Sequence, residues 1–130
     1  MPKASLVSIV EDDRFFRESM RRLMESLGYR VAVFPSAAAF LRSPRLAKTA
    51  VLIADIHMPA MTGLELYRNL INMRRPIPTI LMTSYSDADV EARALGEGVV
   101  CCLRKPFDEQ DLVRCVRMAL ESGQATQRSS

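Results

Sequence analysis

No apolar run in this 130-residue chain approaches the 18 or so residues that a membrane-spanning helix needs. The opening "MPKASLVSIVEDD" reaches its acids after too short an apolar stretch for a secretory signal, so a cytoplasmic protein without a membrane partner is expected. Cysteine is sparse and badly spaced for chelation. Cys101, Cys102 and Cys115 make an odd number, and the adjacent pair is not a CxxC, so they read as reduced, half-apolar packing residues. There is no glycine-rich turn after the first apolar run, where "EDDRFF" stands, and this argues against a nucleotide-binding loop. No cluster of basic and aromatic residues marks a nucleic-acid face. The net charge of +3 is spread among acids such as Glu18, Glu25, Glu65 and Glu91, and Arg14, Arg17 and Arg21 read as a solvated helix face. Internal repeats are absent.

What is there is an ordinary globular composition, 48% apolar and 25% charged, enough for one domain with one core. Short apolar runs alternate with amphipathic segments along the chain. Strands are predicted at 5–10, 29–34, 50–55, 77–83 and 99–103. Helices are predicted at 13–27, at 37–42 behind a Ser36 cap and closed by Pro44, at 63–73, at 87–95 before Gly96 and Gly98, and at 108–122. Strands that alternate with helices must cross over to become parallel neighbours, and they do so right-handedly. The expected fold is α/β, a doubly wound five-stranded parallel sheet of order 2-1-3-4-5 with helices on both faces. The domain is expected to span residues 4–122. The polar "GQATQRSS" of 123–130 lacks periodicity and reads as a tail without regular structure or the start of an interdomain linker.

In such sheets ligands gather beyond the carboxyl ends of the strands. Glu11, Asp12 and Asp13 follow the first strand, Asp55 ends the apolar run "LIAD", Thr83 ends the fourth strand, and Lys105 follows the fifth. With strands one and three adjacent, Glu11, Asp12 and Asp55 would crowd together. Crowded carboxylates repel, and a hard divalent cation such as Mg2+ with oxygen ligands would relieve them. Lys105 and Thr83 would add a positive donor and a hydroxyl aimed at the same pocket. Taken singly, each residue has an ordinary reading: a helix cap for Asp13 or Asp108, a solvated side chain for a lone Thr or Lys. Their coincidence at one sheet edge is what points to chemistry.

The set "VEDD" (10–13), "DIHMPAMTG" (55–63), "MTSY" (82–85) and "RKPF" (104–107) resembles the receiver domain of two-component response regulators, nearest in pattern to FixJ-type receivers. The resemblance spans almost the whole chain. It implies that Asp55 is the phosphoacceptor, Asp12 a direct Mg2+ ligand, Glu11 a water-mediated metal partner and the His57 backbone carbonyl a further ligand. Thr83 and Lys105 would bind phosphoryl oxygens, and Pro106 would follow a cis peptide bond. His57 and Tyr85 would flank the path of the water that hydrolyses the acyl phosphate. A sensor histidine kinase would be the donor, and the domain would catalyse its own modification without being a turnover enzyme. Phosphorylation would favour a homodimer through helix 4, strand 5 and helix 5, and a DNA-binding output domain would lie outside this chain. One position departs from the pattern: Cys102 stands three residues before the lysine, where the family usually carries Tyr or Phe as its switch ring. Tyr85 is the available substitute. A haloacid-dehalogenase-type phosphohydrolase would also use Asp55, but it needs a second Asp where this chain has His57.

Overall fold

The computed structural model describes residues 5–85 and 87–129, with the backbone alone for 124–129. The strands are β1 (Leu6–Val10), β2 (Arg30–Phe34), β3 (Thr49–Asp55), β4 (Thr79–Thr83) and β5 (Cys101–Arg104). The helices are α1 (Arg14–Ser26), α2 (Ala37–Leu41), α3 (Gly63–Asn72), α4 (Ala88–Glu97) and α5 (Glu109–Ser129), with a 3-10 turn at Pro44–Lys48. All strand pairs are parallel, in the order β2-β1-β3-β4-β5, as the alternation of runs predicts.

Period-two alternation along each strand sorts the core into two layers. Leu52 and Ala54 of β3 join Phe40, Leu66 and Leu70 beneath α2, α3 and α4. Val51 and Ile53 face the other way, with Met20 and Met24 of α1 and Leu112 and Val116 of α5. Each such large side chain taken fully out of water stabilises the fold by about 1.5–3 kcal/mol, so an apolar run as long as β3 belongs in mid-sheet. The two layers also place the site. Because α1 covers one face and α3 the other, the loops leaving the neighbouring ends of β1 and β3 diverge and open a crevice between them.

Several element ends differ from the predicted ones. β4 begins at Thr79 rather than at residue 77, since Pro78 has no N–H to give the ladder. α4 runs through Gly96 to Glu97, since a glycine inside a helix costs only about 1 kcal/mol, and the left-handed Gly98 (φ 113°) ends it. The Val99 N–H closes the turn on the Ala94 carbonyl and the Val100 N–H reaches the Thr79 carbonyl of β4, so β5 itself starts at Cys101 rather than at residue 99. Pro44 opens the 3-10 turn, whereas α2 has already ended at Leu41. The clearest correction is the tail. The segment 123–130, read as a tail without regular structure or the start of a linker, continues α5 to Ser129, which corrects the first of these readings. Gln124, Ala125, Gln127 and Arg128 are good helix formers that outweigh Gly123 and Thr126. No helix among the described residues is long and apolar enough to cross a membrane.

Candidate functional site

Asp55 is the last residue of the central strand and is 4% exposed. Its position is fixed from both sides. The Ile56 N–H donates to the Met82 carbonyl of β4 at 2.8 Å, and the His57 N–H donates to Asp55 Oδ1 at 2.8 Å. From below, Gly63 at the start of α3 lies so close that a Cβ there would stand 2.5 Å from the Asp55 carbonyl oxygen. Thr62 and Glu65 form a reciprocal capping box that sets this helix start.

Glu11 follows β1 and is buried, while Asp12 beside it is exposed. One carboxylate oxygen from each of Glu11, Asp12 and Asp55 lies within 4.8 Å of the others, so the three acids expected to converge do converge, in a group that could hold a cation. Lys105 reaches in from beyond β5. Its Nζ donates to Glu11 Oε1 at 2.5 Å and to Asp55 Oδ2 at 2.6 Å. Burial works against the ammonium charge, yet the bonds to Asp55 and Glu11 outweigh it and hold Lys105 above its ordinary range. Burial has the last word at Glu11: it pushes the carboxyl up to about 7 against the opposing pull of Lys105 and the Asp13 N–H. Such a carboxyl gains from the double charge of a divalent ion more than from one ammonium. The oxygen-only donor set suits Mg2+.

Thr83, which ends β4, is buried, but its hydroxyl is turned into its own loop: it donates to the Tyr85 carbonyl at 2.8 Å and accepts from the Tyr85 N–H at 3.1 Å. The His57 imidazole meets the same hydroxyl, Nε2 to Oγ1, at 3.0 Å. The Tyr85 ring, largely exposed, stacks edge-on against His57 at 4.9 Å between centroids. The Lys105–Pro106 bond is cis. Cys102 sits half-buried against the α4 side of the core with Val90 and Ala94, and burial pushes its thiol up to about 11.

Three neighbours of the site are not evident from strand and helix patterns. Phe16 reads as core stripe, yet its ring lies under Lys105, 4.1 Å from Nζ, and meets Phe107 edge-on. Arg17 reads as a solvated face, yet its guanidinium donates to the Glu11 carbonyl at 2.7 Å and, more weakly, to that of Asp12 at 3.5 Å, which pins the acidic loop. The His57 side chain, as distinct from its backbone, has no sequence signature for its bond to Thr83. The one available hint is local: Phe16 and Arg17 stand in the first turn after "EDD", where side chains overhang the strand end.

Comparison with known proteins agrees with this geometry. Residues 7–117 match the model of the response regulator receiver domain. The chain is 36% identical over 117 residues to the response regulator protein TmoT of Ectopseudomonas mendocina, covering 90% of this chain and 53% of that protein. Among solved structures, the response regulator StyR superposes with a TM-score of 0.88 at 32% identity, over 97% of this chain and 64% of that one. FixJ-N superposes at 0.81, also with 32% identity, over 90% of this chain and 94% of that one. A doubly wound sheet with an acidic crevice and a lysine at its rim thus has a sequence to match, and the chain belongs to the response regulator receiver family of two-component systems. It spans about half the length of the curated relatives it matches.

Proposed function

We propose that this receiver accepts a phosphoryl group on Asp55 from the phosphohistidine of a sensor histidine kinase, with Mg2+ held by Asp12, Asp55 and the His57 carbonyl and, through water, by Glu11. The observation that carries the reading is the pair of hydrogen bonds that Lys105 Nζ donates to Asp55 and Glu11 at the end of the central strand. The pairing supports a role for Asp55 as nucleophile, since a carboxylate and a positive donor meet there with Asp55 buried, and charge stabilisation is stronger away from water.

The reaction needs little more than placement and charge. An Asp55 oxygen attacks the phosphorus in line with the leaving imidazole, and a P–O bond forms as the P–N bond breaks. Bound Mg2+ would supply neutralisation of the charge on the phosphoryl oxygens. Lys105 leaves Glu11 and follows the negative charge onto a phosphoryl oxygen. Thr83 gives up the Tyr85 carbonyl and turns its hydroxyl to another phosphoryl oxygen, which also releases it from His57. Water later attacks the acyl phosphate along a path flanked by His57 and Tyr85. The readout belongs to Thr83, Tyr85, Cys102 and Pro106 around the β5 edge, with a homodimer through α4, β5 and α5 as the product of phosphorylation. Since FixJ of Rhizobium meliloti is a transcriptional regulatory protein, a DNA-binding output is the reading for the length this chain does not span.

Incubation with acetyl phosphate and Mg2+, followed by intact-mass spectrometry, tests the assignment. One phosphoryl group is expected on the wild type and none on Asp55→Asn or in EDTA. Equal labelling of the Asn variant would move the acceptor to another carboxylate.

A further inference from the structure

Away from the acidic pocket, three sulfur atoms converge between β5 and α5. Cys101 starts β5, four residues and therefore about 13 Å of strand from Lys105, and strand alternation points it at α5 while Cys102 points at α4. Cys115 and Met118 are one helical turn apart on α5, where side chains three residues apart are neighbours. Cys101 Sγ lies 4.0 Å from Met118 Sδ, and Cys101 and Cys115 line the same groove beside Met118. Burial is graded: Cys115 is 6% exposed, Cys101 is half-buried and Met118 is 46% exposed. The cluster therefore opens onto solvent through a groove bounded by Leu95, Arg114 and Met118.

We propose that Cys101, Cys115 and Met118 form a binding site for a soft monovalent metal ion of the copper(I) class. Thiolate and thioether sulfur select such ions over the hard cations suited to the Asp55 pocket. With metal–sulfur bonds of about 2.3 Å, an ion at the centre of a triangle of sulfurs holds them about 4.0 Å apart, and the Cys101–Met118 pair already has that separation. On binding, each thiol releases its proton to solvent and each sulfur donates a lone pair. No oxidation or reduction takes place. Two thiolates and one monovalent ion leave a single negative charge, at a groove whose rim carries Arg114 paired with Asp111. Before binding, burial above all pushes the Cys115 thiol up to about 12, so Cys115 keeps its proton at neutral pH. A neutral thiol gives Mg2+ no foothold.

The experiment is an anaerobic titration of the reduced chain with copper(I) against a colorimetric copper(I) chelator. One ion per chain is expected. Losing an outer partner of a metal ligand costs 10–100-fold in affinity, so losing a ligand costs at least about tenfold. That loss is expected for Cys101→Ser, Cys115→Ala and Met118→Leu, and no change for Cys102→Ala. Met118→Leu keeps an exposed apolar side chain of similar size, so it separates ligation from folding where the buried Cys115 variant does not. Failure of the wild type to hold copper(I) against the chelator, or undiminished affinity in Cys101→Ser or Met118→Leu, overturns the site. So does a loss in Cys102→Ala.

Discussion

At the scale of residues, the site balances burial against charge, and Glu11 shows the balance most directly. Its folded value of about 7 lies above its ordinary 4.5, so between those limits the folded chain holds more protons than the unfolded one. Stability contributed by this group is therefore present at low pH and is lost as pH rises toward and through 7, the reverse of a carboxylate held low by an ion pair. Glu11→Gln is neutral throughout. In EDTA its melting temperature should gain on the wild type as pH is raised from about 5 to about 8, and a difference independent of pH would show that Glu11 is already ionised at the low end. Asp12 bears on the same repulsion from an exposed position. Asp12→Ala should melt at the same temperature as the wild type or higher in EDTA, since one like charge is gone. Mg2+ at a hundred times its Kd should stabilise the wild type by about 2.7 kcal/mol and the variant by much less. A clearly lower melt of the variant in EDTA would make Asp12 a structural residue. Which acids meet is legible in the sequence, because strand ends can be read from apolar runs. The bonds of His57 to Thr83, Arg17 to the Glu11 carbonyl and Lys105 over Phe16 are not, because each joins side chains whose approach depends on how α1 and the β3 and β4 loops pack.

At the scale of elements, α3 is the part that fixes the backbone of Asp55. Gly63 lets the helix start directly under the end of β3, and Gly63→Ala would put a Cβ 2.5 Å from the Asp55 carbonyl oxygen and 3.0 Å from Leu81. Backbone cannot give as a side-chain tip does. The substitution should cost about 1–3 kcal/mol by overpacking, and it should slow phosphorylation by acetyl phosphate because the strand end must move. Gly96→Ala is the matched control: its Cβ meets nothing within 4 Å, and replacing a helical glycine should stabilise by about 0.5–1 kcal/mol. Denaturant melts of the two variants check both signs, and equal effects would mean that contact with Asp55 does not matter. Local backbone effects also explain which element ends the sequence hides. Pro78 and Gly98 act through their own backbones, yet the apolar run around Pro78 masks its effect on β4, and Gly96 weakens a helix by only about 1 kcal/mol without ending it. The run of α5 past Ser122 follows from residue propensities, which a polar stretch without apolar period does not advertise.

At the scale of the whole molecule, the strand order and the two-layer core follow from the alternation of apolar runs and amphipathic segments, and the crevice follows from the order. What the alternation does not reveal is which residues would carry the proposed switch from the crevice to the β5 edge. Cys102 is half-buried against α4 and offers little area to redistribute, while the Tyr85 ring is 66% exposed and already touches His57, which touches Thr83. A ring that buries in one state and not the other supplies the differential contact that a population shift requires. With beryllofluoride and Mg2+, Tyr85→Ala should abolish the shift toward dimer in sedimentation, and Cys102→Phe should leave it intact. If neither variant alters the shift, the readout lies elsewhere. All of this depends on the acceptor, and the most direct measurement is to trap it. After brief phosphorylation, borohydride reduces an aspartyl phosphate to homoserine, and peptide sequencing by mass spectrometry finds the altered residue. Homoserine is expected at residue 55 alone, with no trapped product when Mg2+ is removed. Homoserine at residue 12, or a phosphoryl group that survives borohydride on His57, would contradict it.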